Sequence, residues 1–264
     1  MILLSIAALL LGVLAYGFAG AQLHSGSRHE GGALRSVAWW SGTVLQALGF
    51  LATLVARHSL PLLIVQSTAT LGLGVTALLQ HVAGVRRMRG RDWLALSALL
   101  GGLALLAGTT LPGPAAAISR DLLLVMAALA VLGIAGLAMP VKPLTNGLLA
   151  GLCFSFGAIG ARLLIGDPAH PLWFFWQLPL ANWATGVLTG IGIVLGQVHM
   201  TRGLAAHDAT PVLGPMYVLE TLLPAGVGVW LMAEHPRPGS APLVAAGLAL
   251  ALLATGYLVR READ

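Results

Sequence analysis

The chain has 264 residues, of which 58% are hydrophobic and 9% are charged, and its mean hydropathy is +0.89. Soluble domains carry about a quarter charged residues, so this chain has too few charges to cover a water-facing surface. The net charge of +5 is attributed to loops on one side of a membrane, not to a nucleic-acid partner, and the single cysteine, Cys153, excludes an intrachain disulfide.

Apolar segments follow one another along the chain, each near the length of about 20 residues that crosses a bilayer core. They predict an all-α integral membrane protein with nine spans, at 2–22, 37–56, 60–82, 93–111, 121–139, 145–165, 173–199, 210–232 and 241–259. Prolines fall between several of these spans, as turn signals should. The first span has the small residues of a signal-peptide cleavage site in GFAGAQ. No positive residue precedes it, however, so an uncleaved span is expected.

The distribution of Lys and Arg predicts the orientation of the spans. With the N-terminus outside, ten of the fourteen basic residues lie in cytoplasmic segments, including the cluster VRRMRGRD at 85–92. Cytoplasmic loops are enriched in Lys and Arg, so we expect the N-terminus outside and the C-terminus in the cytoplasm, in the plasma (inner) membrane. The alternative reading of the cluster is a site for anionic lipid.

An internal repeat relates the two halves of the chain. ATLVARHSLPLLIVQS at 52–67 and TRGLAAHDATPVLGP at 201–215 both place a short histidine-containing turn between two apolar spans. The offset carries spans 2, 3 and 4 onto spans 7, 8 and 9. A shift of five spans is odd, so the copies cross the membrane in opposite directions, a hallmark of secondary transporters. We expect one membrane domain, with a first repeat at 1–111, a linking span and loop at 112–144, and a second repeat at 145–264.

The order of these features resembles the drug/metabolite transporter superfamily, and within it the NIPA-like magnesium-transporter branch. Residues 36–109 resemble the first half of that pattern through VAWWSGTVLQALGF, LPLLIVQSTATLGLG and VRRMRGRDW. Residues 145–234 resemble the second half through NGLLAGLCFSFGAIGARLL and GQVHMTRGLAAHDATPVLGPMYVLETLL. The resemblance implies a secondary transporter that works by alternating access. The chain departs from the magnesium branch at Ser67, Gly196 and Arg162, where Pro, Thr and Lys are common.

PMYVLETLLP, at 215–224, places Glu220 at the centre of the eighth span, where a charged side chain is costly and is often functional. Pro224 has no N–H and removes the helical hydrogen bond to the Glu220 carbonyl. Pro215 removes the bond to the Pro211 carbonyl in the same way. We therefore expect span 8 to be bent or locally open. Glu220 and Tyr217 share a helix face and are candidate ligands for a cation or a proton, and Glu220 is the metal ligand if there is one. The structural alternative is a neutral Glu220 that bonds to a neighbouring helix, since burial favours the uncharged carboxyl.

Three amide side chains inside the predicted spans are further binding candidates. Gln66 and Gln197 border the repeat turns, and Asn182 lies within span 7. Amides also join helices to one another in membranes, which is the structural alternative for each of them.

Other polar and aromatic residues receive structural interpretations. Asp92, at the edge of span 4, is expected to be a solvated turn residue. Trp39 is assigned to an interfacial aromatic belt, and His199 to the interface near the end of span 7.

The sequence carries no signature of an intramembrane enzyme. GxSxG, HExxH and paired intramembrane aspartates are absent, and no nucleotide-binding motif is present, so neither enzymatic activity nor a cofactor is expected. The expected partners are a small solute or cation and the lipid bilayer, with a homodimer as a further expectation. Magnesium prefers several oxygen ligands, so one central acid suits it poorly, and a proton-coupled exporter of an organic solute fits at least as well. The alternative function is a membrane scaffold or accessory subunit that transports nothing.

Overall fold

A computed structural model describes residues 2–57, 65, 69–85, 87–111, 117–165, 170, 172–231 and 235–263. In these ranges the chain forms nine α-helices, one at each predicted span: α1 (Ile2–Ser27), α2 (Val37–Arg57), α3 (Leu71–Val82), α4 (Gly90–Gly108), α5 (Arg120–Ala135), α6 (Pro143–Ile165), α7 (Leu180–Ala206), α8 (Ala209–Leu231) and α9 (Ala241–Ala263). Short 3-10 helices lie at Ala33–Arg35, Gly136–Ala138 and Leu172–Gln177, and two short strands, β1 (Thr110–Leu111) and β2 (His235–Pro236), pair antiparallel. The predicted helical architecture is confirmed.

Six of these helices, namely α1, α2, α5, α6, α7 and α9, are long and apolar enough to cross a bilayer. Large apolar side chains on the outside of the bundle are exposed, among them Trp230 at 89% and Leu180 at 84%. Such a surface suits contact with lipid, and together these features indicate a multi-pass membrane protein. That α3, α4 and α8 also cross the membrane stays a prediction.

The bounds of α7 differ most from the sequence prediction. The span was predicted at 173–199, but the helix starts after Pro179 and runs to Ala206. Pro179 has φ −58° and ψ 157°, an extended conformation that ends the preceding 3-10 turn and sets the helix start. At the other end, polar residues from His199 onward end the apolar run without ending the helix, because they pack against neighbouring helices.

The helices pack in two similar sets. In the first half α1 lies along α2 and α3, and in the second half α6 lies along α7 and α8. Glycines allow these close approaches: a Cβ atom on Gly42 of α2 would lie 2.7 Å from the side chain of Leu23 in α1, and one on Gly192 of α7 would lie 2.7 Å from the carbonyl oxygen of Cys153 in α6. The last helices of the two halves, α4 and α9, pack against each other.

Polar contacts bring the ends of alternate helices together. Arg28, just beyond α1, donates from Nη2 to Asp208 Oδ1 over 3.5 Å and from Nε to the Leu204 carbonyl over 3.3 Å, near the end of α7. Arg202 of α7 donates to carbonyls of Leu137 and Met139, which follow α5. The ends of α1, α5 and α7 therefore meet at one end of the bundle. The β1–β2 pair joins the ends of α4 and α8, at the far end of α8 from Asp208.

Asp92 differs from its expected role as a solvated turn residue. Its side chain is fully buried, and Oδ2 accepts a hydrogen bond from the backbone N–H of Arg89 over 2.7 Å. Oδ1 lies 3.4 Å from the hydroxyl of Tyr257 in α9. Asp92 thus caps α4 and links it to α9, because a carboxylate at a helix N-terminus satisfies N–H groups that have no partner inside the helix.

Candidate functional site

A cavity of about 710 Å³ lies between the two halves of the molecule. Its walls come from α1 and α2 of the first half and from α6, α7 and α8 of the second. Along α2 the lining runs from Trp39 through Thr43 and Gln46 to Phe50 and Thr53. This stretch spans about 20 Å of helix at 1.5 Å per residue, so the cavity extends well along the bundle axis.

The structure brings three of the five candidate binding residues together. Glu220, Tyr217 and Gln197 all line the cavity. Asn182 does not; it is buried in the first turn of α7, fifteen residues from Gln197, or about 22 Å along the helix. Gln66 lies outside the described residues. The binding roles of all five stay predictions.

Glu220 and Tyr217 are placed by a helix, α8, that continues through two prolines. The backbone of α8 is helical from Ala209 to Leu231 with Pro215 and Pro224 inside it. That the helix is bent or locally open at these prolines stays a prediction. Hydroxyl groups bond to carbonyls beside Glu220: Ser155 Oγ of α6 lies 3.2 Å from the Leu219 carbonyl, and Thr221 Oγ1 donates to the Tyr217 carbonyl over 2.8 Å. Neighbouring helices and hydroxyl side chains are the means by which a membrane helix tolerates proline.

Two side-chain hydrogen bonds cross the cavity wall between α2 and α7. Trp39 Nε1 donates to Thr201 Oγ1 over 3.0 Å, and Gln197 Nε2 donates to Thr43 Oγ1 over 3.2 Å. Each bond joins one half of the molecule to the other, so any movement of α2 relative to α7 has to break or exchange them. The predicted role of Trp39 in an aromatic belt is wrong, since its side chain is only 8% exposed and it lines the cavity.

Sequence reasoning missed most of the α2 wall, although a signal was present. Trp39, Thr43, Gln46, Phe50 and Thr53 recur at intervals of three and four residues, which places them on one helix face. Polar and aromatic residues on one face of a membrane helix indicate a face turned away from lipid. Each residue taken singly reads as a packing residue, which is why the stripe was not recognised.

The charged groups of the lining are few. Among the described lining residues Glu220 is the only acid and Arg202 the only strong base. The guanidinium of Arg202 lies at the end of α7, exposed, and donates to two carbonyl groups beyond α5. The inner part of the cavity therefore carries one carboxylate.

The ligand set does not favour a protein-built metal site. No group of three or more His, Cys, Asp or Glu side chains occurs in the described ranges. Magnesium takes six oxygen ligands at about 2.1 Å, and one carboxylate with amide and hydroxyl oxygens supplies only part of such a shell.

The chain was compared with protein-family models, with curated proteins and with solved structures, and nothing matches in any of the three comparisons.

Proposed function

We propose that the chain is a secondary membrane transporter that moves a small solute by alternating access between its two halves. The observation that carries this proposal is the cavity between the halves, which contains the only acid predicted at the centre of a span, Glu220. Substrate sites of secondary transporters lie near the bilayer midplane at the interface of their repeats. The resemblance of the sequence to the drug/metabolite transporter superfamily supports the same function.

The packing of the helices supports the inverted repeat. The arrangement of α1 against α2 and α3 parallels that of α6 against α7 and α8, and the shift between them is again five helices. The helices that close each half also meet in a reciprocal way: a Cβ on Gly102 would lie 2.6 Å from the Gly247 carbonyl oxygen, and one on Gly247 would lie 2.8 Å from that of Gly102. A two-fold relation between the halves produces such reciprocal contacts.

An organic solute suits the cavity better than a divalent cation. The cavity is within the range of roughly 300–1,000 Å³ that holds drug-sized molecules. Most of its described lining is apolar or aromatic, which favours an organic body, whereas magnesium retains water and needs several oxygen ligands. Glu220 would couple transport to protons, since a carboxyl group inside a membrane can exchange a proton for a cationic substrate.

The polar ends of the helices support the proposed orientation. Arg28, Arg202 and the loop after α5 lie at the same end of the bundle, and the predicted alternation of the spans places most of the basic residues at that end. Placing this end in the cytoplasm puts the N-terminus outside and turns the Thr201 and Arg202 end of the cavity toward the cytoplasm.

Transport by this chain alone tests the proposal. Liposomes that contain only the purified chain and an internal pH dye are exposed to small organic solutes and, separately, to Mg²⁺. We expect proton movement coupled to at least one organic solute, and we expect Glu220→Gln to reduce it about tenfold or more, because a site that exchanges charge loses its titrating group. Glu30→Gln is the matched control, since Glu30 is exposed in the loop after α1. Absence of solute or proton flux in every case would favour the non-transporting scaffold instead.

A further inference from the structure

We propose that the cavity opens sideways into the bilayer between α2 and α7, and that its substrate is a lipophilic solute that enters from the lipid. This inference rests on the proposed function, because it names the class of substrate that the cavity takes and the route by which the substrate arrives. It follows from the register of α2 against α7, from the exposure of the lining along both helices, and from the depth at which this exposure occurs.

The two hydrogen bonds between α2 and α7 fix the register of these helices. Trp39 is bonded to Thr201. Thr43, one turn further along α2, is bonded to Gln197, which lies one turn earlier in α7. The two helices therefore run antiparallel, and the faces that they turn toward each other can be followed along both of them.

Beyond these bonds, the facing sides of the two helices are exposed and not packed together. One and two turns further along, the face of α2 carries Ala47 and Leu51, and Leu51 is 56% exposed. The opposite face of α7 carries Val194, which is 62% exposed, and Gly190, where a Cβ would have no described atom within 4 Å. Ala47, Leu51 and Val194 all line the cavity. The wall of the cavity is therefore open between the two helices along this stretch.

The packing of each helix within its own half explains the separation. Helix α2 lies along α1, where Gly42 approaches Leu23, and α7 lies along α6, where Gly192 approaches Cys153. Each helix is thus held by a different neighbour, and the two hydrogen bonds join the helices at one end. The opening is a consequence of the way in which the two halves meet.

The opening lies at the middle of two membrane helices. Both α2 and α7 are long and apolar enough to cross a bilayer, and Ala47 and Val194 lie close to their midpoints. Hydrocarbon, and not water, therefore surrounds the exposed side chains at this depth. The inner lining differs, since Met216 and Tyr217 of α8 line the same cavity and are buried. A solute in the lipid core reaches these inner residues by passing between α2 and α7.

This route selects the chemistry of the substrate. A polar or charged solute has to give up its hydration to reach the middle of the bilayer, whereas an apolar solute is concentrated there. The side chains of Ala47, Leu51 and Val194 at the opening are apolar, and most of the described lining inside is apolar or aromatic. The cavity of about 710 Å³ also has the size of a site for drug-sized molecules. A lipophilic solute of this size therefore matches both the opening and the interior.

Photolabelling of the full chain in liposomes tests the route and the class together. The probe is iodophenyl trifluoromethyl diazirine, which is uncharged, partitions into lipid and forms covalent adducts when it is illuminated. Mass spectrometry should find the inner lining residue Met216 labelled, and Met126 of α5, which is buried and does not line the cavity, unlabelled. Absence of label at Met216 would overturn the proposal, and this comparison needs no variant.

Obstruction of the opening gives the second arm. The double variant Leu51→Trp/Val194→Trp places a bulky side chain on each side of the opening, and labelling of Met216 should then be lost. The control Leu48→Trp/Val187→Trp makes the same changes at exposed positions of the same helices that do not line the cavity, and it should leave labelling of Met216 unchanged. Equal labelling of Met216 in the two variants would refute entry between α2 and α7.

A phospholipid that carries the same diazirine at the end of one acyl chain distinguishes a solute site from a lipid site. Labelling of Met216 by this lipid as strong as labelling by the free probe would assign the cavity to an acyl chain and overturn the proposal. The two proposals fail separately. Labelling of Met216 without solute flux in liposomes would refute transport alone, and flux without labelling of Met216 would refute only the route and the class of substrate.

Discussion

His199 is a buried structural residue and not the interfacial residue that the sequence predicts. Its side chain is fully buried in α7, and Nε2 lies 2.9 Å from the carbonyl oxygen of Gly133 in α5. The α-helical part of α5 ends at Ala135, so Gly133 is among the last residues, whose carbonyl groups lack helical partners. With Nε2 protonated, the imidazole donates to this carbonyl and thereby ties α5 to α7.

Replacement of His199 by an apolar side chain of similar size tests this role. We expect His199→Phe to lower the free energy of unfolding by about 1 kcal/mol, because the buried carbonyl loses its donor and hydrogen bonds between membrane helices are worth roughly this much. His199→Gln retains a donor and should recover part of the loss. Thermal denaturation of the purified protein measures both, with His29→Phe in the exposed loop after α1 as control. An unchanged midpoint for His199→Phe would show that the bond contributes nothing.

The close packing of α4 against α9 depends on the absence of a side chain at a single position of α4. Gly102 faces the Gly247 backbone of α9, and a Cβ there would lie 2.6 Å from the Gly247 carbonyl oxygen. Its neighbour Gly101 faces open space, with nothing within 4 Å of a Cβ. The two glycines share one helix and one local sequence, so they separate the effect of packing from the effect of helix propensity.

Alanine substitutions at the two positions should act in opposite directions. Gly101→Ala is expected to be neutral or to stabilise the protein by up to about 1 kcal/mol, because alanine favours the helix over glycine. Gly102→Ala should destabilise it, because α4 and α9 have to move apart to admit the methyl group, and overpacking costs roughly 1–3 kcal/mol. Thermal denaturation of each variant measures the difference. Equal effects of the two variants on stability would contradict the prediction that the approach of α4 to α9 at Gly102 leaves no room for a methyl group.

At the level of helices, the sequence predicts where each helix lies along the chain better than it predicts which face of a helix turns toward a neighbouring helix. Apolar runs and prolines place the nine helices of the described residues, since span length and proline geometry are local properties. The start of α7 at Leu180 was missed because the aromatic residues before Pro179 continue the apolar run without continuing the α-helix. Glu220 stands out in sequence because its cost is intrinsic, whereas Trp39 and Thr43 belong to the cavity only because α2 turns them toward α7, which depends on packing between the two halves.

In the whole molecule, two groups of helix ends meet at opposite ends of the bundle. The ends of α1, α5 and α7 meet through Arg28, Asp208 and Arg202, and the ends of α4 and α8 meet through the β1–β2 pair. Arg87 lies in the basic segment before α4, whereas Arg237 lies beyond β2, and both are exposed. If successive helices cross the membrane in opposite directions, these two arginines face opposite compartments.

Cysteine labelling in intact cells tests this arrangement with little background, because the native Cys153 is fully buried. We expect Arg237→Cys to react with a membrane-impermeant maleimide added outside, and Arg87→Cys to react only after the membrane is permeabilised, since basic segments are retained in the cytoplasm. The unmodified chain, with its buried thiol, is the control for both variants. The reverse pattern would invert the proposed orientation and place the Thr201 and Arg202 end of the cavity outside. Labelling of both positions from the same side would contradict the alternation of the helices, and with it the inverted relation between the halves on which transport by alternating access depends.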